Sequence, residues 1–235
     1  MKVRYLIKFT KENSIKFISH LDMLRTIQRI VGKSGIDISY SKGFNPHMAT
    51  AIAQPLSVGV YSLGDYMDIE LESEMDEDKL IETLNEASPE TIHFICAKKI
   101  PAPLKNEKKI PPSMALIDAA KYTLIIKYNN TDVLSAELDK LFAKSEWITI
   151  KKTKKGEKEV DIKKLVKTIE YKIDEDKLIL NCLISCGSRE NLSPDLLATF
   201  IKSNTTNFVE DGFVEIRREE MYTLQDDKLV ELYKL

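Results

Sequence analysis

One order of short patterns runs twice through this sequence, once on each side of a proline-rich stretch, and few folds accommodate it. Runs of β-branched and apolar residues with two-residue alternation read as strands, and apolar residues recurring three and four apart read as helices. On that basis residues 3–10 (VRYLIKFT) form a strand, 20–33 a helix, 36–41 and 65–71 strands, 76–85 a helix and 91–100 a strand. Residues 101–112 (PAPLKNEKKIPP) hold four prolines and three lysines, the composition of a stiff, solvated linker. The order then returns, with a strand at 121–128, a helix at 132–143, strands at 147–153, 165–173 and 178–185, a helix at 193–202 and a closing strand at 214–222. A β-α-β-β-α-β order buries its helices' apolar stripes against one face of an antiparallel sheet. The expected fold class is therefore α+β, two tandem ferredoxin-like domains. Their expected bounds are 1–100 for the N-terminal domain, 101–120 for the Pro/Lys linker and 121–235 for the C-terminal domain. The chain's 235 residues suit two domains of roughly 100–120 residues.

The first helix has the clearest local signals. Ser19 can cap it, with Asp22 answering from the third helical position, and Gly32 and Gly35 stop it. Its period puts Leu21, Met23, Leu24, Ile27, Ile30 and Val31 on one face, and Asp22, Arg25, Thr26 and Arg29 on the other. The chain also concentrates its chemistry here. His20 lies in the first turn, and Tyr40-Ser41-Lys42-Gly43-Phe44-Asn45-Pro46-His47 follows as a loop in which Gly43 frees the backbone and Pro46 steers Asn45 away from helical angles.

Composition excludes several classes. The net charge of −2 and the 43% hydrophobic and 31% charged shares are those of a globular chain without a membrane span, whose segment would need about 20 apolar residues. The opening residues run directly into a strand pattern, so a cytosolic location is expected. Cys96, Cys182 and Cys186 lack paired metal-ligand spacing and read as buried thiols rather than disulfides or a zinc site. The balanced total hides a lysine-rich stretch at 98–172, and local patches rather than the sum attract phosphate.

Three chemistries compete for the polar residues. His20 and His47 can serve as acid and base in metal-independent cleavage of an RNA backbone, with Arg25 or Lys42 meeting the developing charge. Against this, His20 can instead order the loop carrying Asn45, while Asp22 pairs with Arg25 at helical spacing. His20, Asp22 and His47 are plausible metal ligands by type, yet residues 20 and 22 of a helix point about 200° apart; no metal or cofactor is expected. Binding of RNA phosphates and bases uses the residues most economically. Arg25 and Arg29 lie one turn apart, Lys42 supplies a cation, Phe44 a stacking ring (or a plug for the core) and Asn45 hydrogen bonds. Ser19, Asp22, Ser41, Gly43 and the two histidines would then order the site. Further lysines at 151, 152, 154, 155 and 158 suggest a projecting basic hairpin, and Arg189 follows Cys186-Gly187-Ser188 at a strand-to-helix junction, as an anion contact or a surface arginine.

The motif Phe17-Ile18-Ser19-His20-Leu21-Asp22-x-x-Arg25, with Ser41-x-Gly43-Phe44-Asn45-Pro46-His47 and Pro55-Leu56-x-Val58-Gly59, closely resembles the radical-SAM-linked protein family. The likeness extends to Val160-Asp161-Ile162 and Gly187-Ser188-Arg189. That family is a domain of unknown function, fused to a radical-SAM enzyme or encoded beside one. The resemblance implies a radical-SAM protein as partner and assigns no catalytic residue. This chain lacks the C-x3-C-x2-C cluster of radical-SAM enzymes themselves, as a companion would. More distantly, tandem ferredoxin-like domains with a histidine near the first helix are similar to the repeat-associated CRISPR RNA endonucleases. Their C-terminal glycine-rich loop is replaced here by Glu210-Asp211-Gly212-Phe213. The expectation is a non-catalytic module that binds or presents transfer or ribosomal RNA to its partner. The alternatives are a ribonuclease using His20 and His47, or a pure protein adaptor.

Overall fold

The fold is that of a computed structural model, which describes residues 2–103, 109–153 and 156–235. It is a mixed α+β architecture with four α-helices among the described residues and mostly antiparallel strand pairing. The elements run β1 (Val3–Lys11), α1 (His20–Ser34), β2 (Thr50–Ile52), β3 (Val60–Leu71), α2 (Glu77–Ala87), β4 (Phe94–Ile100), β5 (Ala119–Lys127), α3 (Leu134–Ala143), β6 (Ile148–Thr153) and β7 (Gly156–Asp161). They continue with β8 (Val166–Asp174), β9 (Lys177–Ser185), α4 (Pro194–Ser203), β10 (Glu215–Gln225) and β11 (Lys228–Glu231). No helix among the described residues is long and apolar enough to cross a membrane.

The chain divides into two compact units. One holds residues up to Ile117 together with Glu220–Leu235, and the other is Asp118–Glu219. The C-terminal segment, expected with the second domain, thus clusters with the first.

In the first unit the strand order is β4-β1-β3, with β2 and β10 on the far side of β3 and β11 on β10. Two-residue alternation sends Tyr5, Ile7 and Phe9 of β1 and Met67, Ile69 and Leu71 of β3 to one face, where they pack with Ile27 and Ile30 of α1 and Leu80 and Leu84 of α2. Each of these large side chains, once buried, contributes about 1.5–3 kcal/mol. Both helices begin on side-chain caps. Ser19 accepts from the Asp22 N–H (3.2 Å), and Asp76 from the Lys79 N–H (3.0 Å). Gly35, at φ 73°, ends α1 in the left-handed conformation that favours glycine.

The opposite face of this sheet carries Arg4 and Lys8 beside Asp68 and Tyr66 of β3 and Cys96 and Lys98 of β4. The unit's own chain roofs it. Arg4 Nη2 donates to the Ile110 carbonyl (2.9 Å), the Ser113 N–H and hydroxyl donate to Asp68 (2.8 and 2.7 Å), and Glu220 takes the Lys8 ammonium and the Tyr66 hydroxyl (2.7 Å).

Two local expectations are corrected. Residues 36–41 are not a strand: Ile38 and Tyr40 form isolated bridges to Leu71 and Met48, and the pairing along Met67–Ile69 goes to β2. Leu21, placed by period on the apolar face of α1, is 59% exposed.

In the second unit the order is β10-β5-β9-β8, with β6 and β7 as a separate hairpin. Trp147 anchors its core. The indole stacks on Phe200 (5.5 Å between centroids) and donates Nε1–H to the Leu141 carbonyl (3.1 Å), which satisfies the one polar atom it buries. Asp161, within the resemblance, accepts the Trp147 and Lys163 N–H groups (2.9 and 3.1 Å) and fixes the base of the hairpin. The backbone bond from Trp147 is the main reason its carboxyl titrates below the usual range.

Candidate functional site

The start of α1 and the loop after Tyr40 line different hollows of the first unit. At the helix start the Ser19 hydroxyl donates to Asp22 Oδ2 (2.7 Å), and Arg25 Nη1 donates to Oδ1 (3.2 Å). The Ser19 hydrogen bond, followed by the bond and charge of Arg25, holds the Asp22 carboxyl below the usual carboxylate range. Asp22, Arg25 and Arg29 are all exposed.

The loop 41–47 is closed by its two ends. The Ser41 N–H donates to the His47 carbonyl (2.8 Å), and the His47 N–H donates to Ser41 Oγ (2.9 Å). Gly43, at φ 132°, makes the turn that a side chain would strain. Its neighbour Phe44 is fully exposed, so it does not plug the core. Lys42, Asn45 and His47 are exposed with it. Ser41, Lys42 and His47, with Tyr40, then line a hollow of about 560 Å³ whose floor includes Arg4, Asp68 and Ile69.

His20 is elsewhere. With Ser19 it lines a niche of about 10 Å³, together with Lys11, Asp65, Ile52 and Leu56. The two histidines line different hollows. Among the described residues no group of three His, Cys, Asp or Glu side chains is placed to hold a metal ion.

Sequence reasoning missed Lys11 and Asp65, which are 2% and 3% exposed. Lys11 Nζ donates to the carbonyls of Lys16 (3.0 Å), Ile18 (3.4 Å) and Val60 (3.1 Å), while the Gly59 N–H donates to the Lys16 carbonyl (2.8 Å). The Phe17–Arg25 and Pro55–Gly59 motifs thus meet around one buried ammonium. Lys11 closes an alternating strand, and nothing local marks it as buried.

In the second unit Arg189 is exposed and 3.6 Å from Asp118, a surface pair. The basic hairpin exists as β6 and β7, but Lys154 and Lys155 lie outside the described residues. Lys151 Nζ is engaged by the Asn191 carbonyl (3.2 Å).

No curated protein matches the chain. A solved structure described as an unknown protein from Galdieria sulphuraria is 10% identical with a TM-score of 0.26, over 98% of this chain and 99% of that one. Another, a "putative glycine cleavage system transcriptional repressor", is 11% identical with a TM-score of 0.23, over 92% and 96%. A family model matches residues 4–194, and on that match this chain belongs to the uncharacterized proteins conserved in bacteria, DUF2344.

Proposed function

We propose that this chain is a non-catalytic, cytosolic RNA-binding module built from two ferredoxin-like units, presenting transfer or ribosomal RNA to a radical-SAM enzyme. The observation that carries the RNA reading is the loop 41–47. It holds a fully exposed phenylalanine beside Lys42, at the rim of a hollow lined by His47 and Arg4. An exposed ring stacks an unpaired base, and neighbouring cations meet its phosphates. Arg25 and Arg29 add exposed cations on α1. The partner rests on the compound sequence motif.

The test is a filter-binding titration of the full chain with total cellular RNA. Affinity at low salt should fall as salt rises, with a log–log slope of about −0.7 per phosphate neutralised on single strands. Phe44→Ala should weaken binding without altering the far-ultraviolet circular dichroism. Absence of binding at low salt would end this reading.

A second reading, a docking surface for the partner protein, is favoured by Phe17, Leu21 and Val58, which are all more than half exposed within the same motifs. Co-purification with the partner that is lost in a Phe17→Ser, Val58→Ser variant, with no RNA signal in the wild type, would favour it.

A further inference from the structure

A second hollow of about 530 Å³ adjoins the one beside loop 41–47. Both are the size of ordinary small-ligand sites, and they share Lys2, Arg4, Glu70 and Lys109. The second hollow is walled by the exposed Pro101, Ala102 and Pro103, apolar surface of the kind a base packs against, and the first offers Tyr40 and the half-buried Met48.

Building on the RNA-binding reading, we propose that the Lys2–Arg4–Lys109 ridge seats a backbone phosphate of single-stranded RNA, with successive bases lodged in the two hollows on either side. Arg4 is fixed in advance. Nη2 is bound to the Ile110 carbonyl, and Nε lies 3.8 Å from Asp68 without a hydrogen-bond acceptor among the described residues. Among the described residues Lys2 is held by loose pairs with Glu70 and Glu72 (3.5 and 3.3 Å), which a phosphate can replace. Lys109 is exposed. Glu70, Glu74 and Asp68 also face the hollows, where they can accept from base amino groups and ribose hydroxyls.

A duplex does not suit this surface, because its bases are paired and stacked and cannot enter two separate hollows. The flat face of the sheet, the other platform on which bases can stack, is closed by residues 110–113 and by the Glu220 network.

The test is fluorescence anisotropy of the full chain with a labelled dinucleotide, tetranucleotide and octanucleotide, and with an RNA duplex of matched sequence. The single strands should bind, with the largest gain from dinucleotide to tetranucleotide, and the duplex should bind much more weakly. A Lys2→Ala, Lys109→Ala variant, which leaves the structural Arg4 in place, should reduce the salt slope by about 0.7 for each phosphate that is no longer neutralised. Equal binding of the duplex overturns the proposal. So does an unchanged slope in the double variant when Phe44→Ala still weakens binding, and in that case RNA binding itself stands. Failure of every RNA to bind removes both readings.

Discussion

Glu220 offers the sharpest test of how the first unit is held together. It is 7% exposed and accepts from the Lys8 ammonium, the Tyr66 hydroxyl (2.7 Å) and the Met221 N–H (2.8 Å). Glu220→Gln keeps nearly the same shape but removes the counter-charge and turns an amide donor toward Lys8. The Lys8 side chain is 14% exposed, so its ammonium cannot simply return to water. Removing one partner of a buried pair costs about 3–5 kcal/mol. The rings of Tyr66 and Tyr233, 6.0 and 5.1 Å from Lys8 Nζ, return part of that, about 0.5–2 kcal/mol. The net expectation is a loss of about 3 kcal/mol, read as a lower urea midpoint by far-ultraviolet circular dichroism. The triple variant Lys8→Met, Glu220→Leu, Tyr66→Phe removes the three polar side chains together, leaving only the Met221 N–H without its acceptor, and should cost less than Glu220→Gln alone. A single-variant cost below about 1 kcal/mol, or a triple variant less stable than the single, would refute the claim that an uncompensated charge is what matters.

Other predictions concern titration and the two motif anchors. Burial pushes the Cys182 thiol from 9.0 up to about 12 and the Tyr66 hydroxyl above its ordinary 10.0, so the folded state binds these protons more tightly than the unfolded chain. Their contribution is complete below pH 9.0 and is lost as pH rises, at about 1.4 kcal/mol per pH unit for each group; urea titrations of Cys182→Ala across the alkaline range should show a shallower fall. Ser19→Ala removes the first cause of the low Asp22 value, and a carboxyl-detected NMR titration should show Asp22 moving back toward the usual carboxylate range. Lys11→Met leaves three carbonyls without their charged donor and should cost at least about 3 kcal/mol, with faster hydrogen exchange at Gly59; unchanged exchange there would mean that Lys11 does not join the two motifs.

Helix positions were legible because their signals are local. Ser19 and Gly35 bound α1, and Asp76 starts α2, through bonds made within one turn. Pairing was harder to read. Residues 36–41 alternate Ile36, Ile38 and Tyr40 as a strand would, yet alternation gives a face and not a partner: β3 meets them at a single bridge, Ile38 to Leu71, and pairs along Met67–Ile69 with Thr50–Ile52. β7 is marked in the sequence only by the lysines of the basic hairpin, because GEKEVD has no apolar face to mark a strand. The candidate site divided in the same way. The chemistry of loop 41–47 was readable from Gly43, Phe44 and Pro46, whereas the hollow that each histidine lines depended on tertiary packing.

The sequence by itself determined the positions of the helices and the turn at loop 41–47, since each follows from propensity, period or capping over a few residues. The tertiary structure alone decided which charged side chains were taken out of water. Lys11 and Glu220 resemble surface residues in any short window. Their burial is offset by carbonyls, hydroxyls and opposite charges supplied from distant parts of the chain, and no local pattern records those partners.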